Sequence, residues 1–291
     1  MRMRCAKLAR IIGVLLVASA LAACSTIKLA YNNLPAFSYW WLDGYLDFDG
    51  AQTLRVRDEL AQLLAWHRQN ELPKIVALLQ KAQALAPGDF TPAQACEMGD
   101  EVRARMVAVA EHAEPAGADL ALSLGEAQLQ QLERKYARIN ADYRKDWLER
   151  SPDRWQEKRY ELLLDRNEDF YGRLDPSQRE LLRQQVAQSA FDPSFIDSQR
   201  RRRQQETLAL LRRFQAEKTP PAEARAAIHA FVQRIADPPP GPARDRQQAL
   251  LQEGCRNMAA LHERTSASQR EQAARRLKAY ERDLVELMAA P

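Results

Sequence analysis

Glycine is scarce in this chain, ten in 291 residues, and histidine is scarcer, with four. So few glycines leave no Gly-rich phosphate loop and no Gly-x-Ser-x-Gly nucleophile elbow. His67, His112, His229 and His262 stand far apart and form no His-Glu-x-x-His helix, so no metal ligand or catalytic residue is expected among them. Asp43, Asp47 and Asp49 suggest a calcium loop, but an EF-hand needs glycine at its sixth position and glutamate at its twelfth. Counting from Asp43, those positions hold Phe48 and Leu54, and the pattern fails. Acids are abundant, yet nothing in the order of residues selects a catalytic pair. Alternation of apolar and polar residues, the mark of a half-buried strand, is also missing. None of these features calls for a cofactor.

The one long apolar run, Ile11 to Leu21, falls short of the roughly 20 residues that a membrane span needs. It follows Arg2, Arg4, Lys7 and Arg10 and ends in Leu21-Ala22-Ala23-Cys24. Basic, apolar and small-residue segments in that order read as a signal peptide, and small residues before a cysteine resemble a bacterial lipobox. That resemblance implies cleavage before Cys24 and a covalent lipid on it. An ordinary signal peptide cut after Ala23 is the alternative. In lipoproteins of this kind an aspartate at the next position tends to hold the protein in the inner membrane, so Ser25 implies the outer membrane. The expected division is 1–23 as signal peptide, 24–34 as lipidated N-terminus and tether, and 35–291 as a helical body facing the periplasm. A subdivision near 238–242 stays open.

Removing residues 1–23 takes away four cations and no acid, so 43 Lys and Arg fall to 39 against 39 Asp and Glu. A balanced mature chain leaves no electrostatic case for nucleic acid. Cys5 leaves with the signal and Cys24 takes the lipid, so Cys96 and Cys255 remain. Two thiols in an oxidising compartment suggest one disulfide; the alternative is a pair of buried free thiols.

What the chain does have is helix. A small motif recurs: Phe48-Asp49-Gly50-Ala51-Gln52, Phe90-Thr91-Pro92-Ala93-Gln94 and Leu174-Asp175-Pro176-Ser177-Gln178. Leu124-Gly125-Glu126-Ala127-Gln128 and Ser266-Ala267-Ser268-Gln269 are close to it. Each reads as a capping box, with the cap side chain accepting from the third helical N–H and glutamine reaching back. Pro92 and Pro176 fall at the first helical position, where a missing N–H costs nothing. Between these starts apolar residues repeat at helical spacing. Ile75 to Leu85 follow Pro73, Met98, Val102, Met106 and Val109 run towards Pro115, and Leu129 to Trp147 form a long amphipathic stripe. Pro238-Pro239-Pro240-Gly241-Pro242 is the stiff linker. The expected fold is all-α, a bundle-like body of about 8–10 helices.

Two features suggest contacts beyond the chain. An aromatic block includes Phe37, Tyr39, Trp40, Trp41, Tyr45 and Phe48, close to the lipid-bearing Cys24. It packs into the body or lies against lipid headgroups, where Trp and Tyr are favoured. The interleaved aspartates favour the core. The run Arg200-Arg201-Arg202-Arg203 reads as contact with phosphate-bearing lipid, or as a solvated helix with local acids such as Glu206. The second reading is favoured, because four consecutive residues spread around a helix.

Lys28-Leu29-Ala30-Tyr31-Asn32-Asn33-Leu34 and Trp40-Trp41-Leu42-Asp43-Gly44-Tyr45-Leu46-Asp47 resemble a family of proteobacterial lipoproteins known only as a domain of unknown function. The resemblance implies location and helical build and carries no activity. The capping boxes are similar to the Leu-Thr-x-x-Gln boxes of small helical periplasmic chaperones, with Phe90 in place of leucine before Thr91, and Asp175 in place of threonine after Leu174. Repeated helical units also resemble the lipase-specific foldases. The expected function is a non-enzymatic outer-membrane lipoprotein that contacts the membrane through its anchor and scaffolds another envelope protein. A chaperone-like client binder is the alternative, and an enzyme on envelope lipid or glycan a more distant one.

Overall fold

A computed structural model describes residues 27–289, and every regular element in them is helical. The expected cleavage before Cys24 and its lipid lie outside the described residues. Eleven α-helices follow in chain order. They are α1 Leu34–Leu46, α2 Gly50–Asn70, α3 Leu72–Leu85, α4 Pro92–Ser123, α5 Glu126–Tyr143 and α6 Pro152–Tyr171. Then come α7 Pro176–Ala187, α8 Pro193–Glu217, α9 Pro221–Ala236, α10 Pro242–Glu263 and α11 Ala267–Ala289. A π-helical turn, Arg144–Leu148, extends α5 towards Trp147.

The capping boxes begin these helices as their residues dictate. The Asp49, Thr91 and Asp175 side chains each accept the N–H of the glutamine three residues on, and that glutamine accepts the cap N–H in return. The structure adds a second job for four of the glutamines. Gln52 and Gln128 exchange amide hydrogen bonds of 2.7 and 3.2 Å, and each also donates to the chain ahead of the other's helix, at Ser123 and Asp47. Gln178 and Gln269 repeat the arrangement at 2.8 and 3.0 Å, donating to Arg264 and Arg173. Two helix corners are thus clasped to two others. Gln178 lies buried, so its amide depends on the protein partners it finds in the clasp.

Each clasp stands beside a core. The first core gathers Leu46, Ala118, Leu124, Leu129, Leu211 and Phe214 from α1, α4, α5 and α8, with Ala224 of α9. The second gathers Tyr160, Tyr171, Leu182, Val186, Leu261 and Ala273 from α6, α7, α10 and α11. The segment 238–242 joins α9 of the first to α10 of the second. A third, smaller core of Tyr31, Leu72 and Leu287 brings the N-terminal helical residues 27–32 onto α2, α3 and α11. The body therefore reaches back to Tyr31, and Lys28 pairs with Glu286, which shortens the expected tether.

The 32-residue α4 spans both halves, about 48 Å at 1.5 Å per residue. It runs on through Pro115 to Ser123, past the point up to which the sequence shows an apolar stripe. A helix-interior proline costs about 3 kcal/mol. Here α2, α3, α8, α9 and α10 all pack on α4, and burial of Ala118 and Ala121 beyond the proline offsets that cost.

Candidate functional site

Between α3 and α4 the packing stops short. The helices run antiparallel, since Lys81 of α3 pairs with Glu97 and Glu101 of α4, and Glu71, just before α3, with Arg105. Ile75, Leu78, Leu79, Ala82 and Leu85 form one wall, and Ala95, Met98, Val102, Met106 and Val109 the other. Phe170 and Tyr171 of α6, Met258 and His262 of α10, and Ala273 and Leu277 of α11 complete a half-open groove of about 680 Å³. Alanine at 82, 86, 95 and 273 leaves space that a larger side chain would fill. Protein interiors hold few voids larger than a water, of about 30 Å³. Its volume falls in the range of about 300–1,000 Å³ usual for ligand pockets.

The mouth keeps large apolar side chains in solvent. Val102 is 48% exposed, Met258 58% and Met106 69%. Met98, Met106 and Met258 all belong to the groove, and an unbranched thioether fits irregular apolar surfaces. Cys96 and Cys255 form the expected disulfide, with Cα atoms 5.3 Å apart, and tie α4 to α10 within one turn of Met98 and Met258. Two walls of the groove are covalently fixed.

Polar groups close the two ends. At the α3–α4 turn, the His262 Nε2–H donates to the Gly88 carbonyl at 2.8 Å, and its Nδ1 accepts from the Tyr171 hydroxyl at 2.9 Å. A carbonyl can only accept, which sets the tautomer. Burial lowers the His262 pKa below the ordinary histidine value and pushes Tyr171 up to about 12, so both are neutral near pH 7. At the other end Glu71 is fully buried and takes Lys74 at 2.7 Å and Arg105 at 3.2 Å. His67 shares a hydrogen bond with Tyr31, 2.9 Å from Nδ1, and burial lowers its pKa too. Gln94, Asn167 and Arg166 add polar side chains to the lining. The cap glutamine Gln94 holds the Thr91 N–H as the other four hold their caps, but it joins no glutamine clasp. Among the described residues no three His, Cys, Asp or Glu side chains come together to hold a metal ion.

A family model described as a family of unknown function (DUF6279) matches residues 44–221, more than half of the chain. The chain belongs to that family. No curated protein and no solved structure matches it. The family segment contains α2 to α8 whole, so it supplies the α3 and α4 walls and the first clasp. Met258, His262, Ala273 and Leu277 come from beyond it, as does Gln269 of the second clasp.

The other sequence-derived contact residues divide. Tyr39 is buried, hydrogen-bonded to Thr53 at 3.0 Å with Arg57 over its ring, and so leaves the set of exposed contacts. Tyr45 is half-buried between Trp41 and Tyr136. Trp40 and Trp41 are 68% and 62% exposed. Arg200 and Arg201 are both held on the buried Asp197, Arg200 also covering the Tyr143 ring, and Arg202 faces Glu206 at 3.5 Å. Burial, then the neighbouring Arg202, lowers the Arg203 pKa. Three of the four arginines thus have local acidic partners.

The groove has no separate signature in the sequence, because its stripes have the same spacing as core stripes. The methionines were the available signal. Three of the four beyond residue 23 line it, while Met288 packs on the third core.

Proposed function

We propose that this protein is a non-enzymatic lipoprotein of the outer membrane, held by a lipid on Cys24, whose periplasm-facing body binds another envelope component in the α3–α4 groove. The observation that carries the reading is the apolar groove itself, about 680 Å³ and open at its mouth. The wall from Ala95 to Val109 is about 20 Å long at 1.5 Å per residue. Its length and apolar lining suit an acyl chain, since hydrocarbon of one membrane leaflet is about 15 Å deep. Gln94, Asn167 and Arg166 supply polar groups for a head group.

The non-enzymatic reading is supported by how the polar side chains are occupied. Both ring nitrogens of His262 are bonded, and Glu71 holds two cations. A second reading, a chaperone-like hold on an apolar protein segment, draws on the exposed methionines, since Met-rich surfaces adapt to varied partners.

The test is displacement of a fluorescent fatty acid from the purified protein by saturated fatty acids of increasing length. Each added methylene contributes about 0.8 kcal/mol, so affinity should rise about four-fold per carbon until the groove is full, then level off. Binding that does not depend on chain length would overturn the acyl-chain reading.

A further inference from the structure

Helical residues 27–32 pass into α1 with little interruption: the Asn33 N–H reaches the Leu29 carbonyl, and the Asn33 carbonyl accepts from Phe37 N–H. At 100° per residue, Leu29, Ala30, Asn33, Leu34, Phe37, Trp40 and Trp41 fall within one arc of about 140°. All of them are exposed, and none is charged. Leu29 is 66% exposed, Phe37 56%, Trp40 68% and Trp41 62%. The opposite side carries Tyr31, Tyr39 and Leu46 into the body. An apolar arc wider than about 100° ordinarily faces a core. This one faces outwards.

We infer that the arc lies on the lipid surface to which Cys24 anchors the chain, as a second membrane contact that fixes how the body stands. The inference rests on the proposed lipid on Cys24. From Cys24 to the described helix at Ile27 is three residue steps, at most about 11 Å when fully extended. Fourteen further steps of about 1.5 Å bring Trp41 no more than about 32 Å from the acylated residue. So short a link holds the helix beside the bilayer, and tryptophan at such an interface keeps its ring in the headgroup layer. Two of the three aspartates that argue against a membrane face are otherwise engaged, and Asp47 lies past the end of α1. Asp43 accepts the Phe48 N–H at 3.0 Å, and Asp49 caps α2. One lipid anchor with one apolar helix face meets the two-signal requirement for stable attachment.

The test uses the full lipidated chain reconstituted in phosphatidylethanolamine–phosphatidylglycerol vesicles that contain phospholipid brominated high on its acyl chains. Of the five tryptophans, Trp66 stacks on His112, Trp147 and Trp155 pack on Phe191, and only Trp40 and Trp41 stand in the arc. Bromine should quench a component of the emission in the wild type, and W40F/W41F should lose at least five-fold of that quenching while still floating with the vesicles. An acylated protein that floats but is not quenched, or whose Trp40 and Trp41 remain open to aqueous iodide, overturns the inference and leaves the anchor standing. A protein that neither floats nor carries acyl mass on its N-terminal peptide overturns the anchor, and the inference with it. A photoreactive residue at position 41 that links to protein rather than lipid in cells also overturns it.

Discussion

Filling the groove should make the protein more stable and less able to bind. Ala82 is the position to change, because its methyl lines the α3 wall and its neighbours Lys81 and Gln83 face Glu97 and Glu281 instead. In Ala82→Phe the ring would occupy a fraction of about 680 Å³ of open space. Burying a phenylalanine side chain contributes about 1.5–3 kcal/mol, and replacing alanine in a helix costs about 0.5 kcal/mol. The net gain of about 1–2 kcal/mol corresponds to a rise in Tm of about 3–6 °C for a chain of this size. Thermal unfolding followed by circular dichroism reads that rise, and titration with the fluorescent fatty acid should show binding at least ten-fold weaker. A natural binding site held open against its own stability behaves in this way. A fall in Tm of several degrees would mean that the ring is overpacked, at a cost of about 1–3 kcal/mol, and that the groove is closed in solution.

The disulfide closes a separation of 159 residues, worth up to about 5 kcal/mol in the chain-entropy model. Cys96→Ser/Cys255→Ser should lower Tm by about 10 °C and weaken probe binding; an unchanged Tm would refute the structural role of the bond. Gln178→Ala removes one side of a buried clasp and leaves the Arg264 carbonyl without its 2.7 Å donor, costing about 1–3 kcal/mol. Gln94→Ala, outside both clasps, should cost less than half as much by urea denaturation, and equal costs would contradict the clasp. Burial holds the His262 pKa below its ordinary value, so the unfolded chain takes up that proton at a higher pH than the folded one. Stability from this group is complete above about pH 6.5 and is lost as pH falls through the folded pKa; Tm should drop as pH falls below about 6.5, less steeply in His262→Asn. Glu281 acts in a lower window. Hydrogen bonds from Gln80, then Lys278 and Gln83, hold its pKa down to about 2, so its clamp of α3 to α11 releases as pH falls from the ordinary glutamate range towards 2.

Helix starts were legible in the sequence because a cap is a local device. Asp49, Thr91 and Asp175 need only the N–H three residues away, and the structure uses them so. The fate of Arg200 and Arg201 was equally local, since Asp197 lies three and four residues before them. The glutamine clasps were not legible, because Gln52 finds Gln128 and Gln178 finds Gln269 only after the chain has folded back over 76 and 91 residues. The course of α4 beyond Pro115 was not legible for the same reason: long-range packing on α4 outweighs a local helix-breaking preference. Tyr39 reads with Trp40 as one block, yet neighbouring helical residues point about 100° apart, so one enters the core while the other faces solvent. A stripe such as Ile75 to Leu85 records only that one face is apolar. Whether a neighbour fills that face depends on alanines at 82 and 86 and on helices far along the chain.

The most direct measurement is photocrosslinking in cells from a photoreactive residue at position 106, at the mouth of the groove, followed by mass spectrometry of the adduct. Acyl binding predicts an adduct carrying the mass of an acyl lipid, lost when Ala82→Phe is added. Adducts with protein alone, unchanged by Ala82→Phe, would contradict it.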